Sequence, residues 1–157
     1  MPEIVHETVV SADPAEVGAA LTTAEGLAGF YTDQVHAEPK AGTQVWFGFG
    51  PAAETQFRFA VTALTDEDVR WKCLDGPPEW VDTEVGWRLR PDAGDGARGG
   101  ARTRVRFEHR GWQSAGGELG ACSFVWAQIL HRLDRYLATG LADPFFRADD
   151  GAGTRRS

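Results

Sequence analysis

The chain has 157 residues, the length of one domain able to bury a full core or to enclose a cavity. Its 16 Lys+Arg stand against 23 Asp+Glu, and the formal charge of -7 argues against nucleic acid or an anionic membrane surface as a partner. Cys73 and Cys122 lie far apart in no metal-ligand spacing, and no apolar run has the length of a signal peptide or a membrane span. The chain therefore reads as a soluble cytoplasmic protein without membrane insertion.

Residues 3–10, EIVHETVV, are rich in β-branched side chains and predict an opening strand, its buried parity open between Ile4/Val10 and Val5/Val9. In DPAEVGAAL, Asp13 is set as the N-cap of a short helix, with Pro14 at its first position and Glu16 closing a capping box. A second short helix is expected from Thr23 to Tyr31, anchored by Leu27, Phe30 and Tyr31. Both are too short to stand without a packing partner.

Four strands with period-2 alternation follow: 43–50, 55–64, 69–74 and 82–90, separated by turn chemistry at Gly50-Pro51, Asp66-Glu67-Asp68 and Gly76-Pro77-Pro78. With the opening strand and a last one at 102–110, six strands form an antiparallel meander. Parity turns Val45, Phe47 and Phe49 inward, then Phe57, Phe59 and Val61, then Val69, Trp71 and Cys73. The last two strands contribute Thr83, Val85, Trp87 and Leu89, then Thr103, Val105, Phe107 and His109, so one sheet face is strongly aromatic. Between these strands, the glycine-rich stretch 91–101 predicts a mobile hairpin tip. Its glycines do not link a parallel strand to a helix, which argues against a phosphate cradle.

Residues 117–140 carry Leu119, Cys122, Trp126, Ile129, Leu133 and Leu137 at three- and four-residue steps and stop at Gly140, the pattern of one long amphipathic helix. Its stripe needs a partner and the aromatic sheet face needs a cover, so the fold class is α+β. The polar remainder, 142–157, is expected to be a flexible tail in which only Phe145-Phe146 would fold back, leaving a single domain over 1–141.

The blocks SADPAEVGAALTTAEGLAGFY, TEVGWRLRP and TRVRFEHRGW, followed by the long helix, resemble the START-like, or SRPBCC, superfamily, and within it the branch named after the activator of Hsp90 ATPase. The similarity runs over roughly residues 3 to 141, with Phe30-Tyr31 standing where that branch commonly has tryptophans. It implies a helix-grip fold, a six-stranded curved sheet around the C-terminal helix, with an apolar pocket between the two. Some relatives bind lipids or cyclise polyketides. The co-chaperone role belongs to larger proteins with an additional domain and is not carried over.

On this basis the expected ligand is a small hydrophobic molecule, lipid-like or polycyclic, and the expected wall comprises Phe30, Tyr31, Phe57, Phe59, Trp71, Trp87, Phe107, His109 and Trp126. The same aromatics would equally fill a solid core. His109, inward at a strand end, is either a polar ligand contact or a residue satisfying its neighbours. An aromatase/cyclase-type enzyme is the rival reading, with His109 or Tyr31 moving protons. Asp82, Glu84 and Glu108 point outward, however, leaving no inward acid–base pair, and this favours a binder. His6, His36 and His131 are too scattered for a metal, no cofactor is indicated, and Ser123 lacks the strand-to-helix elbow of a nucleophile. Trp46 on the outer face and Trp80 in a proline-preceded loop offer a surface for a homodimer or another protein.

Overall fold

The computed structural model describes residues 2–92 and 101–148. Seven strands, β1 (Ile4–Val10), β2 (Gln34–His36), β3 (Gln44–Phe49), β4 (Thr55–Leu64), β5 (Asp68–Asp75), β6 (Glu84–Pro91) and β7 (Thr103–Arg110), form one sheet in the order β1-β7-β6-β5-β4-β3-β2. All neighbours are antiparallel. The count is seven where alternation predicts six, because β2 has only three residues, too few to display a period. The glycine-rich tip between β6 and β7 lies largely outside the described residues.

Alternation sets the inner face. Every residue assigned inward on β4 to β7 is buried, and pairing with β7 resolves the parity of β1, because His6 lies opposite Phe107 and Thr8 opposite Val105. Ile4 and Val10 are therefore in, and Val5 is out. Register shifts between Arg58 and Phe59 and between Val61 and Ala63 break the β4–β5 ladder, and such bulges bend a strand and increase its twist. The sheet consequently curls around whatever covers it.

The cover is α3 (Leu119–Thr139), which buries Trp126, Ile129, Leu130 and Leu133 and ends at Gly140 in the left-handed region, φ 74°. Two short helices, α1 (Pro14–Thr22) and α2 (Ala24–Phe30), close the end of the grip. The capping box at α1 forms, with Glu16 N–H donating to Asp13 at 2.8 Å and Asp13 N–H to Glu16 at 3.3 Å. A side chain at Gly26 would collide with the backbone of Ala20, and one at Gly29 with the ring of Tyr136, so these two glycines let α2 press on α1 and α3. Among the described residues no helix is long and apolar enough to cross a membrane.

After α3 the chain folds back around Phe145-Phe146, the one part of the expected flexible tail for which docking was anticipated. Residues 143–146 run alongside the end of α2, with Asp143, Phe145 and Phe146 N–H groups donating to the carbonyls of Gly29, Phe30 and Tyr31 at 3.0, 3.1 and 2.9 Å. Asp33 N–H donates back to the carbonyl of Phe146 at 3.2 Å. Arg132 ties the segment down through the carbonyl of Asp143 at 2.9 Å, and its guanidinium lies over the Phe145 ring. Phe145 is 1% exposed and packs as a core residue, while residues 149–157 of the expected tail lie outside the described residues. Phe145→Ala should cost about 3–5 kcal/mol in urea unfolding, whereas Leu141→Ala, on an exposed side chain, should stay within about 0.5 kcal/mol. Equal small effects would show that the segment does not belong to the core.

Candidate ligand cavity

Between the β3–β4 end of the sheet and the first half of α3 lies a cavity of about 280 Å³. The helix presents Glu118, Ala121, Cys122, Val125, Trp126 and Ile129, a run at three- and one-residue steps that makes one continuous face. Opposite stand Phe49, Thr55 and Phe57 from β3 and β4, with Pro77 and Trp80 from the β5–β6 loop. Tyr31, just past α2, and Phe146 close the remaining side.

Three of the nine expected wall residues, Tyr31, Phe57 and Trp126, border this cavity. The other six, Phe30, Phe59, Trp71, Trp87, Phe107 and His109, are no more than 1% exposed and pack deeper in the grip. Their rings interlock edge to face or tilted, Trp87 on Phe107 at 4.9 Å, Phe107 on Trp126 at 4.5 Å and Trp71 on Trp87 at 5.6 Å, distances typical of filled cores. One end of the interior is thus solid and the other is open. Phe49 and Cys122 were legible as inward residues, though not as wall. Phe146 carried no periodic signal.

Trp80 corrects the expectation of an exposed loop aromatic. It is 8% exposed and packs edge-on against Phe57 at 4.8 Å and His109 at 4.6 Å. Its loop turns inward because Trp80 N–H donates to the carbonyl of Pro77 and Asp82 takes a left-handed conformation, φ 71°, which aspartate tolerates better than most residues. Trp46 is on the outer face as expected, but its ring leans on His36 at 5.1 Å and its indole N–H donates to Gln56 at 3.1 Å.

His109 sits at the centre of a hydrogen-bonded chain. The indole N–H of Trp126 donates to His109 Nδ1 at 3.2 Å, which places the ring proton on Nε2. Nε2–H donates to Thr83 Oγ1 at 2.8 Å, and the Thr83 hydroxyl donates to the carbonyl of Trp80 at 2.6 Å. Both ring nitrogens are occupied, and burial pushes the imidazole down to about 3. His109 is held neutral as a strut between helix, strand and loop, and it does not border the cavity.

Of the polar groups that do border it, Tyr31 is pushed upward by burial and keeps its proton. The Cys122 thiol is pushed up to about 11 by burial and, secondarily, by Glu118, against hydrogen bonding from Trp80. At neutral pH both are therefore hydrogen-bonding groups and not bases. Among the described residues, no group of three or more His, Cys, Asp or Glu side chains could hold a metal ion.

Because His109 takes a proton readily when unfolded, at a pKa of 6.5, and only near pH 3 when folded, stability should fall as pH drops through that window. The slope from this one group is at most about 1.4 kcal/mol per pH unit. His109→Leu orphans the Trp126 N–H and should cost about 2–3 kcal/mol at pH 7.5. It should also lose less stability than the parent between pH 6.5 and 4.5. Parallel stability curves for the two proteins, measured by urea unfolding, would refute the neutral strut.

No protein-family model matches the sequence, and no curated protein does. Solved structures do. The Aha1 dimer from Colwellia psychrerythraea superposes with a TM-score of 0.75 at 27% identity, covering 89% of this chain and 98% of that one. DynU16, a protein of the dynemicin biosynthetic locus, gives 0.69 at 24% identity over 89% of this chain and 48% of its own. A protein from Mesorhizobium loti gives 0.71 at 18% identity over 87% and 97%. With its curved antiparallel sheet gripping one long C-terminal helix, the chain has the fold of the Aha1-like branch of the START-like, or SRPBCC, superfamily.

Proposed function

We propose that this protein binds a small hydrophobic molecule in the cavity between β3–β4 and α3. The observation that carries the reading is a preformed space of about 280 Å³, just under the usual size of small-molecule clefts, whose wall is mostly aromatic and aliphatic with few polar groups. A fold shared with a protein of the dynemicin biosynthetic locus is compatible with a small-molecule ligand, and the fold alone does not name it.

The rival reading, an aromatase/cyclase-type enzyme, needs a proton carrier on the wall. His109 has both nitrogens engaged elsewhere, and Tyr31 and Cys122 are shifted away from neutrality, which supports binding over turnover. A homodimer has the Colwellia dimer in its favour. Trp46, expected to mark its surface, already has partners within the chain.

Ala121 faces the cavity from an exposed helical position, so Ala121→Trp fills the mouth without touching the deep core. The parent should bind the neutral naphthalene dye prodan at about one molecule per chain with a blue-shifted emission. The variant should unfold within a few degrees of the parent and bind about tenfold more weakly or not at all. A parent indifferent to the dye, or a variant that binds it equally well, would overturn the assignment.

A further inference from the structure

One hydroxyl on the cavity wall has no protein partner among the described residues. Tyr31 is 4% exposed, and its ring is surrounded by Trp126 at 5.4 Å, Phe47 at 4.9 Å, Phe49 at 5.7 Å and Phe146 at 6.2 Å. Its backbone is tied to Leu27 and Phe146, but its phenolic oxygen makes no hydrogen bond among the described residues. The oxygen is not among the described polar atoms sealed from solvent, so on the wall of this open cavity it is free to donate to a molecule bound there. The phenol keeps its proton because burial disfavours the anion, so it serves as a donor.

The wall also has a charge asymmetry. Among the described residues no Lys, Arg or His borders the cavity, and the one charged side chain on its wall is Glu118, at the start of α3. A ligand carboxylate or phosphate would lose water there, meet no cation, and face a like charge. The aromatic rings of Tyr31 and Trp126 are tilted by only 33° to each other, and together with Phe57 and Trp80 they present broad apolar surfaces to a flat molecule.

We infer that the cavity selects uncharged, flat polycyclic molecules carrying a carbonyl or similar acceptor, which the Tyr31 hydroxyl holds by a donated hydrogen bond, and that it rejects the corresponding acids. The inference rests on the cavity being a binding site and adds the class of molecule it takes.

Three probes of nearly the same skeleton test it: fluorene, which has no acceptor; fluorenone, which has one; and a fluorenone carboxylate, ionised at pH 7. Fluorenone should bind the parent about tenfold more tightly than fluorene. Tyr31→Phe, which keeps the ring contacts and removes only the oxygen, should erase that difference and leave fluorene affinity and thermal stability unchanged or slightly raised. The carboxylate should bind at least about tenfold more weakly than fluorenone, and Glu118→Gln should narrow the gap.

Equal affinities for fluorene and fluorenone, or a Tyr31→Phe variant that preserves their ratio, would overturn the role of the hydroxyl. A carboxylate that binds as well as the ketone would overturn the charge selection. In either case, fluorene binding that is lost in Ala121→Trp would still uphold the cavity as a site. If no probe binds the parent, the cavity and its selectivity fall together.

Discussion

Trp126, His109, Thr83 and Trp80 belong to a helix, a strand, the residue just ahead of the next strand, and a loop, yet three successive hydrogen bonds join them across the closed end of the grip. Each polar atom in that chain would otherwise be buried without a partner, and the low dielectric that makes an unpaired group costly makes the completed chain strong. Its direction is set at one end by the indole, which can only donate, and at the other by a carbonyl, which can only accept. A neutral imidazole with its proton on Nε2 is the state that satisfies both ends. Since Trp126 and Trp80 are also walls of the cavity, the chain that closes the core orients the surfaces a ligand meets.

Whether an aromatic in this fold fills space or borders it depends on how strongly the sheet curls. At β6 and β7, Trp87, Phe107 and His109 reach Trp126 of α3 and fill the interior. Towards β3 and β4 the same kind of side chain, Phe49 and Phe57, ends in open space opposite the first turns of α3. The apolar character of the cavity follows from the alternation that made the strands.

That division explains what was legible in the sequence. Inward sets on β4 to β7, the α3 stripe, the capping box at Asp13 and Glu16, and the helix stop at Gly140 are local patterns, each with a period or a cap to declare it. The alternation of TQFRFAVTAL runs through the register shifts unbroken, so the curvature, and with it the separation of Phe57 from Phe59, had no signal. Trp80 was misplaced because its burial depends on contacts with Phe57 and His109, both distant in the chain. His109 was placed correctly by parity. That it satisfies its neighbours was one of its two readings, but which neighbours had no signal, because Trp126 and Thr83 meet it only when the helix closes on the sheet.

Phe146 touches Phe49 at 4.8 Å and Tyr31 at 6.2 Å, so the segment that docks beside α2 is also part of the cavity wall. Occupancy and docking are therefore coupled thermodynamically. Any contact a bound molecule makes with Phe146 is lost when the segment detaches, so a ligand strengthens the segment's hold by the same free energy with which the docked segment strengthens the ligand's. With the proposed ligand bound, the post-helix segment would act as a latch whose grip reports on the contents of the cavity, and a protease that cleaves only the detached strand would read that occupancy from outside the protein.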